Sequence, residues 1–508
     1  MRNLESRRNL RAFIKNGAIL TMTSLMMRLI GVRFNAFITE KIGAEGIGLY
    51  TLIMSVYGFA VTLATSGVGL ASTRMCAEAE NENIRREGLK RLSLYAVICG
   101  TISFSALFFG SGSISELLGD ERCERAVRYL AFSMPFISLL SVLHGYFSAV
   151  RKVSRSAAVS VFEQIFWIIV TVVLLFRAGG RLESACAALI LGGTLSEIGS
   201  FFAAFVCFVA DRRKYAGDRS HEKPSGLSRK LFSITLPVAA AAYVRSGFST
   251  LEHILIPRGL SKNPATAGSA LSSYGILCGM AMPVIMLPTA FLYSFTGLLI
   301  PEFAESVSRG EEKRIMSMTS RAMGLTLSFS IGCAGFMYFF SRELGFFIYD
   351  SAECGEFIKL MSPLIPVMYF DHAVDSILKG LGEQLYCMKV NILDSAMCAL
   401  LVYILCPRIG IYGYLVTIYV SEALNAALSV GRLMKRVGVG MRLSWLIIPV
   451  CGVIISAIVV GLMPEMDSLV SLGLRSGVFA MVYFCGALLV QNPRGNRDAG
   501  DEVEWRSR

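Results

Sequence analysis

Residues 443–463 read LSWLIIPVCGVIISAIVVGLM, an uninterrupted apolar run without one charged side chain. As a helix such a run is long enough to cross a bilayer core about 30 Å thick, which takes roughly 20 apolar residues. Blocks of this kind recur from one end of the 508-residue chain to the other. The same reading predicts spans at 16–38, 47–73, 92–111, 127–149, 157–176, 184–209, 231–256, 271–300, 322–341, 358–380, 388–406, 411–431, 443–463 and 468–490. Bulk composition agrees: 17% of residues are charged, against roughly 25% in a typical soluble domain. The expected fold is all-α, a polytopic membrane bundle of about fourteen helices.

The loops test that reading. With the N-terminus inside, most Lys and Arg fall in cytoplasmic segments, among them Arg85, Arg86, Lys90 and Arg91, then Arg151, Lys152 and Arg155, and later Arg432, Lys435 and Arg436. The outer loops are acidic, with Glu40 and Glu45, then Glu116, Asp120 and Glu121, then Asp350, Glu353 and Glu356. This asymmetry predicts a multi-pass protein of the cytoplasmic membrane with both termini in the cytoplasm and no cleaved leader. It also accounts for the net charge of +12 without a nucleic-acid partner, because the basic residues are scattered among loops. The 13 cysteines form no CxxC pair and sit mostly in apolar blocks, as small buried hydrophobes.

The chain also repeats. PFISLLSVLHGYFSAVRKVSRSAAVSVFEQ from Pro135 parallels PVMYFDHAVDSILKGLGEQLYCMKVNILDS from Pro366, each placing a carboxylate (Glu163, Asp394) at the same depth. Spans one to six thus resemble spans seven to twelve. The expected organisation is an N-terminal lobe over 1–215, a C-terminal lobe over 216–435, and two added spans with a tail over 436–508. Parallel repeats of this kind predict a pseudo-twofold axis along the membrane normal and a site near the midplane.

Charges deep in spans are the candidate functional residues, since each costs about 2.5–3.5 kcal/mol to insert at a helix centre. Arg28 shares a helix face with Ser24, Gly31 and Asn35; Arg33 lies nearer the outer surface, and Arg74 at the inner end of span two. Arg245 shares a face with Ser249 and Glu252. A guanidinium matches phosphate oxygens in bidentate fashion, so the arginines point to a phosphate or pyrophosphate group; the plainer reading pairs each with a bundle carboxylate. Asp371, Asp375 and Lys379 form one stripe on span ten, suited to ion coupling or to internal neutralisation. Asp394, Glu163, Glu197 and Glu422 are single carboxylates in spans, each a weak pointer to a cation or proton site. No P-loop, HExxH, GxSxG or Cys/His metal spacing occurs, and no loop is large enough for a catalytic domain, so neither an enzyme nor a cofactor is expected.

The stretch from Arg28, above all GAEGIGLY (Gly43 to Tyr50) and SGVGLASTR ending at Arg74, resembles the oligosaccharide flippases of the multidrug/oligosaccharidyl-lipid/polysaccharide exporter superfamily. The branch it resembles most is that of the stage V sporulation protein B-like proteins, related to the lipid II flippases. The resemblance implies fourteen helices in two lobes, alternating access, a membrane-lipid setting and a sugar substrate carried on undecaprenyl pyrophosphate, with cell-wall synthesis enzymes as partners and a role in sporulation. It also implies that Arg28, Arg33 and Arg245 engage the headgroup. The competing readings are a cation-coupled multidrug antiporter of the same superfamily, favoured by Asp371 and Asp375, and a non-transporting scaffold for cell-wall assembly.

Overall fold

The computed structural model describes residues 2–79, 81–150, 152–178, 182–212, 227–264, 267–440, 442–464 and 469–490. Among these, every regular element is helical. In chain order they are α1 (Arg2–Thr65), α2 (Val68–Ala77), α3 (Glu82–Leu118), α4 (Cys123–Ala131), α5 (Met134–Ala149), α6 (Val153–Arg177), α7 (Leu182–Arg212), α8 (Leu227–Lys262), α9 (Ala270–Tyr274), α10 (Met282–Ile285), α11 (Thr289–Ser308), α12 (Glu312–Phe339), α13 (Ser341–Tyr349), α14 (Ala352–Met361), α15 (Ile365–Gly380), α16 (Gln384–Ile409), α17 (Ile411–Val437), α18 (Ser444–Gly461) and α19 (Leu469–Val490). A π-helical segment, Gly275–Ala281, joins α9 to α10.

Among the described residues, 9 helical stretches are long and apolar enough to cross a bilayer, or 11 if two bent pairs, α4–α5 and α9 to α11, each count as one crossing. One of these stretches, Leu25–Ala77, has 53 residues, about 80 Å of helix and far more than one crossing needs. It breaks at Gly43, whose φ of 71° and ψ of 177° lie outside the helical region and suit only glycine. The remaining expected spans fall on α14 with α15 and on α19, so among the described residues each of the fourteen predicted segments falls mainly on helix. Their flanks carry large exposed apolar side chains such as Phe109, Phe176 and Leu462, a surface matched to hydrocarbon rather than water.

Two units can be distinguished by internal packing. The first comprises Met1–Pro283 with Met388–Ser421, and the second Val284–Cys387 with Glu422–Arg508. In the first, Tyr146, Phe147, Leu140 and Leu143 of α5 pack with Val159 of α6 and Ala204 of α7. In the second, Phe370, Val374, Ile377 and Leu378 of α15 pack with Phe303 of α11 and with Met323 and Leu327 of α12.

The Gly43–Tyr50 motif has a geometric cause. A Cβ on Gly48 would stand 2.1 Å from the Leu271 carbonyl oxygen, and one on Gly275 would stand 2.2 Å from the Ala44 oxygen. Here α1 meets the α9 and π-helical segment backbone to backbone, an approach small residues permit. Asn35 donates to the Gly279 oxygen at 2.6 Å across the same contact.

Candidate functional site

Arg28 is partly buried on α1, in the half before the Gly43 break; Arg33 is exposed five residues on. The side chain of Ser24 lies outside the described residues. Gly31 and Asn35, on the Arg28 face, sit against α6 and the π-helical segment: a Cβ on Gly31 would meet Gln164 Nε2 at 3.5 Å, and Asn35 holds the Gly279 carbonyl. Gln164 itself donates to the Met27 oxygen at 2.8 Å, which fixes α6 beside the turn that carries Arg28. Asn35 therefore has a packing role independent of any ligand. Arg74 is exposed on α2.

Arg245 is exposed on α8. That helix lies along the half of α1 beyond Gly43: Tyr243 donates to the Leu63 oxygen, Ser246 to Thr62 Oγ1 at 3.1 Å, and Thr250 to the Ser55 oxygen at 3.0 Å. Arg245, Ser249 and Glu252 form a separate stripe, as their spacing predicts. Glu252 is close enough to Asp394 on α16 for their charges to interact, and Asp394 accepts from Ser421 Oγ at 2.6 Å. Next to Glu252, His253 Nδ1 pairs with the Tyr274 hydroxyl at 3.0 Å.

In the second unit Asp371 and Asp375 are both buried on α15. Lys379 pairs with Asp375 at 3.3 Å, as the i, i+4 order anticipates. His372 stands edge-on to Tyr293 with ring centroids 4.4 Å apart. Part of this stripe is therefore neutralised within its own helix.

A third grouping is one that single-residue reasoning missed. Helices α6 and α7 run antiparallel and meet at Thr171 and Gly192, where a Cβ on the glycine would stand 2.2 Å from Thr171 Oγ1. Counting equally far along each from that contact brings Glu163 level with Ser200, beside which it lies. Glu197, one turn from Ser200, interacts with the charge of Glu163 and accepts from the Tyr57 hydroxyl at 3.2 Å. These carboxylates face a cavity of about 400 Å³ whose wall includes Tyr50, Tyr57, Gln164 and Trp167. The glycine pair Gly192–Gly193 was the available signal: Gly192 marks the close approach that makes partners of Glu163 and Glu197.

Comparison with known proteins adds three findings. The family model for polysaccharide biosynthesis proteins matches residues 13–307, more than half of the chain. Stage V sporulation protein B of Bacillus subtilis (strain 168) is 26% identical over 464 residues, covering 88% of this chain and 89% of that protein. Among solved structures, the lipid II flippase MurJ in an inward closed conformation superposes with a TM-score of 0.71 at 13% identity, over 93% of this chain and 98% of that one. An inward-facing multidrug resistance MATE family transporter of the MOP superfamily gives 0.62 at 13% identity, over 83% and 98%. The fold is thus the all-α, multi-pass membrane architecture shared by these proteins, and the chain belongs to the polysaccharide biosynthesis protein family.

Proposed function

We propose that this protein is a flippase that moves a lipid-linked oligosaccharide or peptidoglycan precursor, carried on undecaprenyl pyrophosphate, across the cytoplasmic membrane by alternating access. On this reading both termini are cytoplasmic, 1–215 and 216–435 are the two lobes, and 436–508 is an appendage of two spans. The observation that carries the reading is a pair of arginines, Arg28 and Arg245, each on a polar stripe of a span helix in a chain of this family. A guanidinium is charged at every physiological pH and holds phosphate oxygens bidentately. Placed inside a span, it offers a fixed cation where the headgroup must shed water, while the lipid tail stays in the bilayer. The name of one similar protein, the lipid II flippase MurJ, gives a substrate of this class. The membrane potential, worth about 2.3 kcal/mol per charge per 100 mV, is one available driving force.

The test is translocation of a fluorescent undecaprenyl-pyrophosphate sugar in proteoliposomes, wild type against Arg28→Ala and Arg245→Ala. Protein-dependent loss of leaflet protection, reduced at least tenfold in both variants, is the expected result. Activity kept in both variants discards the arginine site; no activity with several such lipids discards the flippase. A second reading, a cation-coupled antiporter, draws on the buried Asp371 and Asp375 and on the likeness to the MATE transporter. Efflux of a cationic drug driven by a sodium or proton gradient, with no lipid-linked sugar moved, would replace the flippase with it.

A further inference from the structure

The geometry points to a second binding site, in the cavity between α6, α7 and the Tyr50–Tyr57 segment of α1, that takes an organic ammonium group. Three observations converge on it. First, size: about 400 Å³ is within the range of small-molecule sites, roughly 300–1,000 Å³, and more than ten times the ~30 Å³ share of one water, so a bare ion would leave it mostly unfilled. Second, charge: Glu163 and Glu197 line it, no Lys, Arg or His does, and neither carboxylate has an ion-pair partner among the described residues. Third, the wall also holds Trp167, Tyr50 and Tyr57, and an ammonium over an indole or phenol face is attracted by the ring quadrupole. Phe34 fixes the indole edge-on, with ring centroids 4.9 Å apart.

An ammonium would be held by the two carboxylates, with Tyr57 fixing Glu197 through its 3.2 Å hydrogen bond. The amide of Gln164 spans the wall of this cavity and the Met27 carbonyl, so the site adjoins the turn bearing Arg28. A headgroup that carries a phosphate and a free amine could meet Arg28 and the cavity together. The inference rests on the flippase reading only for the origin of the amine, which could equally be a free amphiphilic amine.

The chain has 3 tryptophans, so Trp445→Phe with Trp505→Phe leaves Trp167 as a reporter inside the cavity. In nanodiscs at constant ionic strength, D-glucosamine is expected to change its emission saturably, and N-acetylglucosamine is not. Glu163→Gln or Glu197→Gln is expected to weaken the response at least tenfold, and the double variant to abolish it, with elution volume and helical circular dichroism unchanged. The same saturable change with sodium chloride alone would overturn the proposal in favour of an inorganic cation site. No response to glucosamine in protein of unaltered circular dichroism would overturn it outright. The origin is read in proteoliposomes: faster flipping of a lipid-linked amino sugar than of its N-acylated form, lost in the double Gln variant, supports the headgroup. Equal flipping of both, with binding intact, overturns the headgroup as the source and leaves the flippase standing.

Discussion

Two turns in this chain occupy equivalent places in the repeat and are pinned by ion pairs of opposite polarity. Lys152 follows Pro135 by the same interval at which Glu383 follows Pro366. In the first unit Lys152 contacts Asp211 at the end of α7, Arg155 pairs with the same carboxylate at 3.0 Å, and Tyr146 donates to it at 3.0 Å. In the second, Glu383 accepts a bidentate fork from Arg432 of α17, Nε to Oε2 at 3.2 Å and Nη2 to Oε1 at 3.0 Å, and Arg436 stands 3.8 Å away. Arg432 also lies over the Tyr386 ring, 5.3 Å from its centroid. What the two halves share is a charged tie between the turn and the end of the sixth helix of the repeat; the sign is free. The difference lies in burial. Asp211 is fully enclosed, whereas Glu383 retains 19% exposure and its arginines are about half exposed.

That contrast yields an ordered set of expectations. The largest effect belongs to Lys152→Met with Arg155→Met, which leaves an enclosed carboxylate with only a tyrosine: a loss of about 3–5 kcal/mol, seen as a large drop in melting temperature in detergent. A drop no larger than that of either single variant would mean that Asp211 is not held by charge. Smaller is Arg432→Ala with Arg436→Ala. Both guanidinium groups are about half exposed and Glu383 keeps a path to water, so about 1 kcal/mol is expected from the same melting experiment. A loss as large as in the first unit would erase the contrast. The subtlest is polarity exchange. Lys152→Glu and Arg155→Tyr with Asp211→Arg, which copies the second unit's Glu383, Tyr386 and Arg432 into the first, is expected to recover most of the stability lost in Asp211→Arg alone. Failure to recover would show that the sign is fixed by its surroundings after all.

The same comparison shows where sequence reasoning ends. The helices were legible because apolar runs of bilayer length have one stable solution in lipid, and Asp375 with Lys379 was legible because both lie on one helix at i, i+4. By spacing alone, Arg155 and Lys152 are topological charges. Their partner, Asp211, is remote in sequence and is brought to them only by the packing of α5 and α6 on α7. Glu163 and Glu197 were singletons for the same reason. On the arginine side, the stripe Arg245, Ser249 and Glu252 follows from spacing, but the polar face of α1 proved divided. Arg28 is partly buried, while Asn35 is committed to the Gly279 carbonyl. Hydrophobic period identifies a face; it does not say which neighbour the face will meet.

The break at Gly43 has a mechanical meaning. A helix transmits torque along its axis because each peptide is clamped to the one a turn away; a residue at φ 71° and ψ 177° interrupts that clamping. The long first helix is therefore two rods on one swivel. Arg28 rides on the first rod, and Tyr50 and Tyr57 ride on the second. Twisting the arginine's rod need not turn the rod that carries the two tyrosines, so one continuous piece of chain can serve two sites as separate moving parts.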